Sequence, residues 1–110
     1  MNVEKIDNKT IYLKTLGTHN YFVFILTNKG KTVLYIGVTN NLKNRIEYHK
    51  TSKSTFTSKY NCFYLIYIER FVDVNQAIKR EKELKGWNRR KKEELINSSN
   101  INWNFLNDDV

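Results

Sequence analysis

Four side chains in this 110-residue chain have types and spacing suited to phosphoryl chemistry. Tyr35 lies in the run LYIGVTNN; Arg45 and His49 follow on what reads as the next helix, and Glu81 stands far downstream in IKREKELK. Arg45 and His49 are four residues apart, so they share one helix face beside the apolar anchors Leu42 and Ile46. A planar, permanently charged guanidinium suits a bidentate grip on phosphate. An imidazole of near-neutral pKa suits proton relay. On the later helix Val74, Ala77, Ile78 and Leu84 mark an inward stripe. At about 100° per residue, Glu81 falls between Ala77 and Ile78, near the centre of that stripe. A carboxylate there is costly unless paired or metal-bound. It is half of an ion pair, a side chain that reaches solvent over the edge of the stripe, or a ligand for a hard cation such as Mg²⁺.

Tyr35 shares its strand face with Val33 and Gly37. Gly37 gives no side-chain cover, which would let a ligand's backbone approach closely there. The phenol, with an ordinary pKa of about 10, becomes a general base only with help from a metal or cation. Each residue also has a plain structural reading: a core tyrosine, a solvated arginine, a half-buried histidine.

A second signal is positive charge. Lys79, Arg80, Lys82, Lys85, Arg89, Arg90, Lys91 and Lys92 crowd one helical stretch, opposed there only by Glu81 and Glu83. Lys50, Lys53 and Lys59 surround Phe56 in a polar loop. The chain carries a net charge of +8, which favours polyanions, nucleic acid foremost. Such lysine and arginine clusters bind phosphates through counterion release, and an aromatic among them can stack on bases.

The elements that would position these residues are legible. Runs at 21–27 and 33–38 around the glycine of NKGKT predict an antiparallel hairpin. Thr39-Asn40-Asn41 can cap a helix over about 42–50. The segment 61–69 predicts a third strand. Asp73 then fits an N-cap with Gln76 at N3, Val72 and Ala77 hold the staple positions, and Gly86 is a stop. A last helix follows, and 101–106 should fold Trp103 and Phe105 back onto the domain. The result is an α/β (α+β) domain of order β-β-α-β-α-α, a small three-stranded antiparallel sheet flanked by helices. Residues 20–106 form the expected domain, 1–19 an N-terminal extension and 107–110 a tail. Cys62 is the sole cysteine, which excludes an intrachain disulfide and a standard zinc site and fits a reducing compartment. No apolar run approaches the roughly 20 residues needed to span a bilayer, and the N-terminus has no signal-peptide core, so a cytoplasmic location is expected.

Taken together, YFVFILTN, VLYIGVTNNLKNRIEYHK and IKREKELKGWNRRKK resemble the GIY-YIG nuclease family. The nearest likeness is to its small single-domain branch, similar to the N-terminal nuclease domain of the excision-repair endonuclease subunit. Tyr35-Ile36-Gly37 is the YIG half. The resemblance implies a metal-dependent DNA endonuclease in which Glu81 holds one Mg²⁺ or Mn²⁺, Arg45 neutralises charge on the phosphoryl group, Tyr35 activates water and His49 relays protons. It implies a DNA substrate of nicked, branched or single-stranded form and a protein partner for targeting. The first-motif tyrosine falls at Phe24, which has no proton to give, and Tyr21 faces the other side of the strand. That departure keeps a second reading open: a catalytically weak or silent nucleic-acid-binding module on the same fold. A basic docking domain for acidic proteins is a third, but docking requires none of Tyr35, Arg45, His49 and Glu81.

Overall fold

The β-rich run from Tyr21 ends in a turn that Asn28 organises. Its carboxamide oxygen accepts from the Thr32 and Val33 amides at 2.8 and 3.0 Å, and the Lys31 amide donates to the Asn28 carbonyl at 2.9 Å. The left-handed position of this turn is taken by Lys31 (φ 61°), beside Gly30. In a computed structural model, which describes residues 4–5, 20–51 and 59–109, the hairpin strands are β2 (Tyr21–Thr27) and β3 (Leu34–Thr39). β4 (Tyr64–Phe71) pairs antiparallel on the other side of β2. The three-stranded antiparallel sheet expected from the sequence is present. A two-residue strand, β1 (Glu4–Lys5), extends it beside β4, giving the order β1-β4-β2-β3. β3 is therefore an edge.

Helix α1 (Leu42–Thr51) is capped by Asn41, whose side chain accepts from the Asn44 amide at 3.1 Å, while Thr39 binds the Asn41 amide. Helix α2 (Val74–Lys85) starts at Asp73, which accepts from the Asn75 amide, and ends at Gly86 with a right-handed φ of −80°. Helix α3 (Arg89–Ser99) starts at Asn88. Sheet alternation sends Phe22, Phe24 and Leu26 to one face, where Leu42 and Ile46 of α1 cover them. Val23 and Ile25 go to the other, under Ala77 and Leu84 of α2 and Leu95 and Ile96 of α3.

A β-bulge breaks the alternation in β4. Ile25 pairs with Tyr67 but Leu26 with Leu65, so Ile66 is the extra residue. Ile66 and Tyr67 consequently both face α2 and α3. The carbonyl of Ile66 accepts from the Asn100 side chain at 2.9 Å. The C-terminal segment follows β4 closely: the Leu106 amide donates to the Leu65 carbonyl, and Asn107 bridges the Leu65 amide and the Phe63 carbonyl. Trp103 packs on the α2–α3 side, and Phe105 stacks on Tyr64 at 4.4 Å. The chain thus docks through Asn107, one residue into the expected tail.

Candidate active site

Tyr35 stands on the edge strand β3 opposite Leu26, half-buried, on the face covered by α1. Its ring lies 6.4 Å from that of Phe24. Phe24 is fully buried opposite Gly37. A Cβ added at Gly37 would sit 2.5 Å from Phe24 Cζ, closer than real Cβ contacts allow. The close approach at Gly37 is therefore made by the Phe24 ring. This corrects the expectation that Gly37 leaves room for a ligand: the missing side chain makes space for an aromatic ring.

Arg45 is exposed on α1, makes no ion pair among the described residues, and lies over the Tyr48 ring at 5.4 Å. The side chains of His49 and Lys50, at the end of α1, lie outside the described residues, as does Lys53. Glu81 occupies the inward stripe of α2 with Ala77 and Leu84, and its side chain is 15% exposed. Its carboxylate pairs with Lys85 one turn on, at 3.3 Å. Lys85 also lines a cavity of about 280 Å³ together with Lys92, Leu34, Tyr35 and Ile36. The end of α2, the start of α3 and the Tyr35 strand thus share one concavity at the sheet edge. Arg45 and Glu81 stand on helices that cover opposite faces of the sheet, so a site that uses both has to reach around β3.

Among the described residues no three His, Cys, Asp or Glu side chains gather to hold an ion. What the described residues offer at this edge is the mostly buried carboxylate of Glu81 and a half-exposed, exchangeable ammonium partner. That donor set fits Mg²⁺ or Mn²⁺, hard cations that keep several waters and complete their shell with substrate phosphate oxygens. It does not fit a structural zinc ion.

A model of the GIY-YIG catalytic domain matches residues 20–94. The chain belongs to this family. Similar proteins include a UPF0213 protein of Oceanobacillus iheyensis, 32% identical over 69% of this chain and 88% of that one. Another is a UPF0213 protein of Natronomonas pharaonis, 32% identical over 70% and 91%. The solution NMR structure of a UPF0213 protein from Bacillus halodurans has a TM-score of 0.52 at 29% identity, covering 76% of this chain and 89% of that one. Membership in a family of nuclease-type domains implies a nucleic acid as the substrate class. No helix among the described residues is long and apolar enough to cross a membrane.

Within this GIY-YIG domain the basic run divides by role. Arg89 donates to the Glu93 carboxylate and to the Lys31 and Thr32 carbonyls, and lies over Trp103. It clamps the hairpin turn to α3, so its guanidinium is already engaged by the fold. Arg90 is exposed and only loosely paired with Glu94 at 3.6 Å. Lys91 lies over Trp87 and Lys59 over Tyr60.

Sequence reasoning missed a buried network. Glu69, with no solvent exposure, accepts from Arg80 Nε and Nη2, each at 2.9 Å, and from the Tyr67 hydroxyl at 2.6 Å. Arg80 also pairs with Glu83 and stacks over Trp87. Burial, and then the Glu69 acceptor, raise the Tyr67 phenol far above its usual range. The bond to Glu69 likewise holds Arg80 protonated. The acid at the end of an apolar strand was the available signal, but its pairing with a residue eleven positions on depends on the bulged register.

Proposed function

We propose that this chain is a divalent-metal-dependent DNA endonuclease of the GIY-YIG type, with residues 20–106 as its functional unit. The observation that carries the reading is the shared edge: Tyr35 lines the same concavity as Lys85, whose partner is Glu81. Glu81 is the residue suited to hold Mg²⁺ or Mn²⁺, and the bound ion would supply charge neutralisation at the scissile phosphate. Tyr35, with His49 beside Arg45 on α1, takes the proton of the attacking water. Arg45, exposed and with no ion pair among the described residues, offers its guanidinium to charge developing on the phosphoryl oxygens, an interaction worth most when preorganised. Lys50, Lys53, Lys59, Lys85 and Arg90 to Lys92 hold the DNA backbone. Nicked, branched or single-stranded DNA, a targeting protein partner and a cytoplasmic setting belong to this proposal. A second reading, a catalytically silent binding module, is favoured by one observation: Phe24 fills the first-motif position and is fully buried.

The test is Glu81→Gln. Its helical ion pair is half exposed at Lys85, and such i,i+4 pairs contribute only about 0.3–0.5 kcal/mol, so the fold should survive. Cleavage of nicked, flapped, branched and single-stranded substrates with Mg²⁺ or Mn²⁺ should disappear, while DNA affinity in EDTA persists. Strong destabilisation with unchanged metal affinity would overturn the ligand assignment. Salt-sensitive binding by the unaltered chain, without metal-dependent cleavage, would select the second reading.

A further inference from the structure

The cavity at the β3 edge carries an unmet demand for an anion. Its two ammonium groups come from different helices: Lys85 from the last turn of α2 and Lys92 from the start of α3. Lys92 is half-buried, yet no described carboxylate pairs with it. The arginines of the same run are matched, Arg80 to Glu69 and Glu83, Arg89 to Glu93, Arg90 to Glu94. The lysines that share the lack of a described carboxylate, Lys79, Lys82 and Lys91, are exposed to solvent where Lys92 is half-buried. Among the described residues Lys85 is matched to Glu81 alone, at 3.3 Å, with its side chain 52% exposed. A partly desolvated ammonium is unfavourable without a counter-charge. The rest of the lining is the apolar pair Leu34 and Ile36 and the strand at Tyr35, whose ring packs on the opposite, α1-covered face.

Two lysines over an apolar floor suit a phosphate followed by its nucleoside. A volume of about 280 Å³ falls just short of the usual small-ligand range, room for one nucleotide unit rather than a duplex segment. We propose that this cavity is a backbone-phosphate subsite. In it Lys92 holds a non-bridging oxygen of a phosphodiester next to the one cleaved, and Lys85 is shared between that phosphate and Glu81. The place of this phosphate beside the cleaved bond rests on the nuclease reading; the phosphate subsite does not.

Binding is measured in EDTA, without turnover, by fluorescence anisotropy of a labelled oligothymidylate across a sodium chloride series. Lys92→Gln should weaken affinity several-fold and lower the salt slope by about 0.7, the value for one phosphate contact on a single strand. Lys92→Arg should keep the slope. Lys79→Gln, exposed on α2 and outside the cavity, should keep it too. Circular dichroism melts confirm that each variant is folded. A Lys92→Gln slope equal to that of Lys79→Gln would overturn the subsite. In a parallel titration read by amide NMR shifts, the oligonucleotide should move Ile36 and Lys92 at micromolar concentration while inorganic phosphate at millimolar concentration should not. Shifts from inorganic phosphate alone would overturn the strand assignment in favour of a free-phosphate site. Normal metal-dependent cleavage with an unchanged Lys92→Gln slope rejects the subsite and leaves the nuclease reading standing. Lys92-dependent binding without cleavage does the reverse.

Discussion

Phe24 and Gly37 form one unit: the ring lies over the glycine with its para carbon nearest the edge strand. A hydroxyl placed on that carbon would be carried toward the side of β3 where Tyr35 stands, 6.4 Å away ring to ring. If the first-motif position has lost a proton carrier, Phe24→Tyr should raise the metal-dependent cleavage rate. General acid–base groups contribute about 10²–10⁴-fold, so partial recovery is measurable by single-turnover kinetics. Tyr35→Phe should remove the remaining activity. Inert outcomes for both would reject a phenol as the base and favour the binding-module reading. The residue types of the candidate site stand out in the sequence because few patterns put a strand tyrosine, a helical arginine and a late inward glutamate in that order. The role of Gly37 was not, because a glycine in a strand signals close approach without saying by what.

At the scale of elements, α2 is fixed to the sheet by Arg80 on Glu69, which also sets the rotation that turns Glu81 inward. Removing one member of a buried pair costs about 3–5 kcal/mol, whereas replacing both by apolar groups can be nearly neutral. Glu69→Gln should therefore lower stability in urea by an amount of that order, and Glu69→Leu with Arg80→Met should recover much of it. The Tyr67 phenol adds a pH dependence. Its pKa is raised above the ordinary 10.0, so the folded chain favours the neutral form. That contribution is fully present below pH 10 and is lost as pH rises above it. Urea midpoints should hold to about pH 9 and then fall, less steeply in Tyr67→Phe. The strands and helices around this network could be read from apolar runs and caps: Tyr21–Thr27 and the Asp73 cap stand as the sequence predicts. The bulge at Ile66 could not. An extra residue leaves no mark on a strand apolar on both faces, so the register that joins Glu69 to Arg80 stayed hidden.

Across the whole molecule, a net charge of +8 gives the impression of one uniform basic surface, yet the structure commits some of these cations to the fold and leaves others exposed. Arg89 is invested in the fold: three bonds tie it to Glu93 and to the carbonyls of the hairpin turn. Arg90, one residue on, is 86% exposed and held at only 3.6 Å by Glu94. Hydrogen bonds from a charged donor contribute about 1.5–3 kcal/mol each in favourable settings, and exposure places these at the lower end. Arg89→Ala should therefore lower the melting temperature by several degrees and leave the salt slope of duplex DNA binding unchanged. Arg90→Ala should do the opposite, keeping the melting temperature and reducing the slope by about 0.9 if it contacts one phosphate. Paired thermal melts and salt-titrated anisotropy on the two variants decide the matter. A lower slope for Arg89→Ala at intact stability would return that arginine to the DNA-binding surface and show that its bonds to the turn exchange readily for phosphate.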